Sequence, residues 1–183
     1  QEYEPALKKF NTLLGKGSYL KYRPKIMLAL AACHEALDQF DESITQYEAI
    51  IERYDRNQTY GAEVSQAMFE LGIIHERQGA LARAEELYLE ARRRSPTIFW
   101  VRDEADRKSQ DIKELQKYRE DLNEALLALF PPDSLQSTSE PVDSVQTDAA
   151  VAPTAPLSNV IDARFRLAEH YLFRFNMVDS ALV

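Results

Sequence analysis

Residues 68–96 read MFELGIIHERQGALARAEELYLEARRRSP, and the fold follows from the spacing of a few positions within them. Leu71, Gly72 and His75 fall on one helical face, and Ala84, Tyr88 and Ala91 fall on another. Between the two runs stands the polar break Gln78-Gly79-Ala80, and Pro96 closes the stretch. Two antiparallel helices meet these constraints when Gly72 and Ala84 mark their closest approach and Tyr88 fills the gap to the next unit. The same residue types recur 41 positions earlier as Leu30-Ala31, His34, Ser43, Tyr47, Ile50 and the breaker Asp55. The turn of that hairpin is expected within Leu37–Asp41, with Asp41 as its punctuation. Ala6, Phe10, Leu13 and Ser18 repeat the second half of the pattern; Leu167-Ala168, Tyr171 and Ser180 repeat the first.

Such periodic self-similarity marks a stack of helical hairpins in which neighbouring units share a core. The run Met68…Leu71-Gly72…His75…Ala84…Tyr88…Ala91…Pro96 resembles a tetratricopeptide repeat, with Met68 where the family has a large aromatic and His75 where it has tyrosine. The resemblance implies an all-α protein, an α–α superhelix that binds other proteins and performs no chemistry. Half a repeat, two full repeats near 24–57 and 65–98, and a truncated repeat at 159–183 are expected. The connector near Tyr54–Tyr60 is seven residues longer than a strict repeat allows. Long inter-repeat loops after an Ile50-Ile51-Glu52-Arg53-Tyr54 ending resemble bacterial cell-envelope repeat proteins of the outer-membrane assembly lipoprotein and Tol–Pal coordinator types. That implies a periplasmic or outer-membrane-associated location, with the cytoplasm as the alternative.

Composition agrees with helix: the 183 residues include 5 glycines, too few for the turns of an all-β design. The net charge of −8 has no basic stripe to offset it, which argues against nucleic acid, whose backbone is bound through Lys and Arg. Arg92-Arg93-Arg94 ends a helix, where cations favour the dipole. Cys33 is the single cysteine, so neither an internal disulfide nor a Cys-rich zinc site can form. No apolar run is long enough to span a membrane. The chain opens on Gln1 and closes within a periodic apolar segment, which predicts a piece of a longer protein.

From Ile98 to Leu129 there is neither Pro nor Gly, and one long helix is expected over 99–130. Ile112, Leu115, Leu122, Leu126 and Leu129, with Arg119 interposed, trace a heptad seam. The helix either caps the repeat stack or offers a coiled-coil surface for self-association through Ile112–Leu129. Residues 131–158 are acidic, rich in Pro, Ser and Thr, and without aromatics; a disordered linker is expected there. Order should resume at Asn159.

No motif carries catalysis. His34 and His75 sit in successive repeats, too far apart to share a metal, and Cys33 and His34 point in different directions around a helix. There is no Gly-rich phosphate loop, nucleophile elbow or His-Glu-x-x-His helix. No enzyme activity, metal or cofactor is implied; the expected role is a protein-binding scaffold or adaptor, with a structural or self-associating spacer, or a regulatory domain of a larger protein whose catalytic part lies elsewhere, as the alternatives. What remains is the concave face lined by the first helix of each repeat. Its outward positions are Lys25, Leu28, Ala32 and Glu35, then Gln66, Phe69, Ile73 and Glu76, then Asp162, Phe165, Glu169 and Leu172. An apolar strip flanked by acids suits a protein or peptide ligand, an amphipathic or extended segment with basic flanks; internal packing of Phe69 and Ile73 is the alternative. Family members that grip a peptide carboxylate use Lys and Asn here. Leu28, Ala32, Phe69 and Ile73 occupy those places, so that clamp is absent.

Overall fold

The computed structural model describes residues 2–94, 98–130 and 154–175. Seven α-helices and no strands occur among them: α1 (Tyr3–Leu14), α2 (Arg23–Glu35), α3 (Phe40–Tyr54), α4 (Gly61–Arg77), α5 (Leu81–Arg94), α6 (Phe99–Leu129) and α7 (Thr154–Arg174). The chain divides into two compact units, residues 1–112 and 113–183.

In the first unit α2–α3 and α4–α5 are the two expected hairpins, stacked as an α–α superhelix with α1 against α2. Local chemistry sets the helix ends. Pro24 opens α2 in the first turn, where its missing N–H costs nothing. Asp41 and Glu42 begin α3 and Arg53 ends it, matching the dipole at both ends. Each hairpin turns through one residue of positive φ, Asp38 (58°) and Gly79 (76°), again 41 positions apart. The bonding is the same at both. Asp38 N–H donates to Glu35 C=O (2.9 Å) and Gln39 N–H to His34 C=O (2.9 Å); Gly79 donates to Glu76 (2.9 Å) and Ala80 to His75 (2.9 Å). These crossed bonds satisfy the last carbonyls of α2 and α4 and reverse the chain. Asp41, expected to punctuate the turn, lies inside the first turn of α3; Asp38 holds that role because it takes the left-handed conformation.

The hairpin core is as the spacing demands. Leu30, Ala31, Ser43, Tyr47, Leu71, Gly72, Ala84, Tyr88 and Ala91 are all buried. Gly72 allows the closest approach: a Cβ placed there would lie 2.7 Å from Tyr88 Cε1. Buried Ser65 donates to the Ala91 carbonyl at 2.7 Å and pins α4 to α5. The lengthened connector contains a short 3₁₀ turn, Gln58–Tyr60, with Tyr54 and Tyr60 edge to face at 5.0 Å. Arg94 reaches back to Asp55 at 2.5 Å, tying α5 to the end of α3. The arginine run thus has specific partners beyond the dipole, with Arg92 on Asp106 (2.9 Å) and Arg93 on Glu90 (3.1 Å).

The first part of α6 belongs to this unit. Val101, Ala105, Ser109 and Ile112 form its buried stripe, and Arg92–Asp106 and Glu76–Lys108 hold it on α5 and α4. In the second unit α6 from Lys113 onward runs antiparallel to α7. Tyr118 meets His170 edge to face at 5.3 Å, and Ala125 and Ala128 share a hollow with Asn159 and Asp162. Two seam residues proposed for self-association, Ile112 and Leu115, are fully buried within the chain. α7 starts at Thr154, five residues ahead of the expected Asn159, so 154–158 are helical. Residues 131–153, Ser180 and Pro96 lie outside the described residues. Among the described residues no helix is long and apolar enough to cross a membrane.

Candidate functional site: a groove between the first helices of the repeats

α2 and α4 lie side by side in the stack, and most of α2 and the N-terminal half of α4 flank a groove of about 470 Å³. Lys25, Leu28, Ala29 and Ala32 line it from α2, Ala62, Glu63 and Gln66 from α4, and Ile98 from the segment entering α6. Four of the anticipated outward positions, Lys25, Leu28, Ala32 and Gln66, are therefore brought together. The physical basis is the register: they stand at outward positions of the repeat whose inward positions, Met27, Leu30, Met68 and Leu71, are buried. Lys25 reaches Glu63 at 3.7 Å across the groove. The Lys25 side chain is well exposed and this pair contributes little to stability, so it can open for a ligand. Alanines at 29, 32 and 62 leave a shallow bed between Leu28 and Ile98.

Toward the C-terminal end of α4 the groove is closed. Phe69, anticipated on the open face, is 3 % exposed, with Tyr88 at 5.6 Å and Trp100 edge-on at 5.8 Å. Glu76, anticipated as an acidic rim, is 5 % exposed. It accepts from the Tyr88 hydroxyl at 2.7 Å and from Lys108 Nζ at 2.6 Å. The cause is α6, whose Trp100 and Lys108 cover this part of α4. Ile73 is half-buried. Phe165 and Glu169 are exposed on α7 in the second unit.

Glu35 is half-buried and accepts from Tyr47 at 2.6 Å, the same arrangement as Glu76 with Tyr88. Each acid is separated by 12 residues from its ring and closes its own hairpin. Burial pushes both tyrosine hydroxyls up, and the neighbouring carboxylates push them further, so both remain protonated donors. Glu70 completes the cluster. Burial raises its carboxyl to about 7, the Glu35 charge adds to the rise, and Gln66 and Arg77 oppose it. Sequence reasoning missed these acid–tyrosine pairs, although their equal spacing in the two repeats was a usable signal.

Other polar groups have local uses. A second hollow, between α5 and α6, is ringed by Arg83, Arg92, Arg93 and Arg102, but each is paired with a carboxylate: Glu86, Asp106, Glu90 and Asp103. Burial raises the Cys33 thiol, which keeps it in the unreactive protonated form. His34 bonds Gln39 at 2.8 Å, and His170 is buried between the rings of Tyr118 and Phe175. Among the described residues no group of three or more His, Cys, Asp or Glu could hold a metal ion.

Stacked helical hairpins with a groove between their first helices define an all-α protein of the helical-repeat class. Residues 22–96, which contain both hairpins, match the family model described as tetratricopeptide repeat. No match was found among curated proteins or among solved structures.

Proposed function

We propose that the chain is a non-catalytic protein-binding scaffold or adaptor that takes a peptide or helix in the groove between α2 and α4. Repeats of this type generally mediate protein–protein contacts, and the observation supporting a specific site is the open, alanine-bedded groove beside Leu28 and Ile98. A ligand of this groove would seat an aliphatic or aromatic side chain on Ala29, Ala32 and Ala62 and meet polar partners in Gln66 and the Lys25–Glu63 pair. Covering of Phe69 and Glu76 shortens the binding stretch to the N-terminal half of α4 and the Lys25–Ala32 face of α2. The resemblance of the helix endings and long connector supports placing this scaffold in a bacterial envelope assembly, with a cytoplasmic assembly as the alternative. A spacer role with self-association through Ile112–Leu129 is less well supported, since Ile112 and Leu115 are buried within the chain.

The test uses a displayed library of short peptides selected on the wild-type chain. Ala32 is exposed, so Ala32→Trp fills the groove without entering the core. Selected peptides are expected to lose at least about tenfold in affinity for that variant, a change of roughly 1.4 kcal/mol. Equal binding by both proteins would place the interaction elsewhere.

A further inference from the structure

Glu70 stands where the two hairpins meet. It is half-buried on α4, one turn beyond Gln66, and the Gln66 side-chain amide bonds its carboxylate. It faces Glu35 of α2, the hydroxyls of Tyr47 on α3 and Tyr88 on α5, and Arg77 of its own helix. Both hydroxyl protons are committed elsewhere, Tyr47 to Glu35 at 2.6 Å and Tyr88 to Glu76 at 2.7 Å. Gln66 therefore answers to Glu70 on one side, and on the other it lines the groove between α2 and α4. A primary amide has a donating end and an accepting end. An ionised Glu70 can only accept, so Gln66 turns its N–H to it and leaves its carbonyl oxygen for the groove. A protonated Glu70 can donate, so Gln66 turns its carbonyl to it and leaves N–H for the groove.

We propose, resting on the groove as the binding site, that Glu70 is a positioning residue that selects, through Gln66, which hydrogen-bonding group the groove offers a ligand. The exchange falls near neutrality. Burial and the Glu35 charge raise the Glu70 carboxyl to about 7, against Gln66 and Arg77. Below that pH the groove presents an amide N–H and suits a ligand carbonyl or carboxylate. Above it the groove presents a carbonyl oxygen and suits a ligand N–H. Ionised Glu70 also adds a second negative charge beside Glu35, which favours a Lys or Arg of the ligand. Both effects have the same sign, so donor-bearing, basic peptides belong to the higher pH.

Nuclear magnetic resonance of the full 183-residue chain tests this with no ligand present. The Glu70 carboxyl carbon and the Gln66 side-chain amide should move together with a midpoint of about 7, and Glu35→Gln should lower that midpoint by removing the charge beside Glu70. Glu70→Gln should abolish the Gln66 movement and leave the helical circular dichroism unchanged. A Glu70 carboxyl that titrates in the ordinary carboxylate range overturns the proposal, as does a Gln66 amide that stays still while Glu70 titrates. The second arm uses peptides from the displayed library, selected at about pH 8 and kept if Ala32→Trp weakens them. They should bind about tenfold more weakly at about pH 6, where about one Glu70 in ten is ionised, and Glu70→Gln should remove the dependence. Kept peptides that respond to pH identically on wild type and Glu70→Gln overturn the proposal. A library in which Ala32→Trp weakens no peptide refutes the groove itself and the proposal with it, a failure told apart from the others because the resonances report Glu70 and Gln66 without a ligand.

Discussion

Replacing Gly72 with alanine sets two effects of known sign against each other. An interior glycine costs about 1 kcal/mol of helix propensity, so on local grounds Gly72→Ala should stabilise α4. The added methyl, however, would lie 2.7 Å from Tyr88 Cε1, 3.0 Å from Cδ1 and 3.3 Å from Cζ, where ordinary contact begins near 3.4 Å. The ring has little room to move. It is fully buried, Phe69 packs on it at 5.6 Å, and its hydroxyl is held by Glu76 at 2.7 Å. Both restraints come from α4 itself, one turn to either side of Gly72. Overpacking costs about 1–3 kcal/mol, and loosening a hydrogen bond to a buried carboxylate adds about 1.5–3 kcal/mol. A net destabilisation of about 1.5–5 kcal/mol is expected. Urea unfolding followed through Trp100 reads it directly, because this single tryptophan sits 5.8 Å from Phe69 within the repeat unit. Gly61→Ala at the start of the same helix is the control; its new methyl would meet only the Arg94 carbonyl, at 3.6 Å, so it should be neutral or slightly stabilising. If Gly72→Ala were as stable as Gly61→Ala, the close approach of α4 to Tyr88 would not govern the hairpin.

Asp38 holds φ of 58° where Gly79 holds 76° at the matching turn. Asp38→Gly should therefore stabilise the first hairpin by about 1 kcal/mol, measured as a raised urea midpoint at unchanged slope, and a loss of stability would show that the Asp38 side chain contributes more than its backbone costs. Glu70 titrates near 7 when folded, against 4.5 for an unperturbed carboxyl. The folded state thus holds the proton more tightly, and stability contributed by neutral Glu70 is present below about pH 4.5 and lost as pH rises to about 7. Glu70→Gln should match wild type near pH 4.5 and exceed it by about 2–3 kcal/mol at pH 8, and a gap independent of pH would remove the basis for this assignment.

The hairpins were legible because repetition constrains small and large residues at once. Gly72 needs Tyr88 sixteen positions later, and the same distance separates Ala31 from Tyr47. Register alone could not tell which outward residues stay open. Phe69 and Leu28 hold equivalent places, yet α6 covers the first and leaves the second beside an open groove. The sign was present in Val101, Ala105, Ser109 and Ile112, but the seam read from Ile112 onward drew attention to the other end of that helix. Asp38 escaped because aspartate at a left-handed turn is indistinguishable in composition from aspartate at a helix start, which is what Asp41 became. The early start of α7 has a similar origin. Pro156 counts as a breaker in a compositional reading but is compatible with the first turn of a helix, where it falls.

The paired acids Glu35 and Glu76 make the two hairpins thermodynamically unequal. In a stacked-repeat protein, stability divides into what each unit supplies alone and what each boundary adds. Tyr47 and Glu35 lie in one hairpin, and the group they meet across the boundary, Glu70 of α4, opposes rather than completes the charge of Glu35. Tyr88 on Glu76 is shared, because Lys108 of α6 completes the charge of the same carboxylate. Closure of the second hairpin and docking of α6 are therefore expected to be coupled through that carboxylate, whereas the acid–tyrosine pair of the first hairpin has no cation from a later helix to complete it. Fraying should begin at the α1–α3 end and stop at α4, making the repeat stack directional in how it melts although its two units share one pattern.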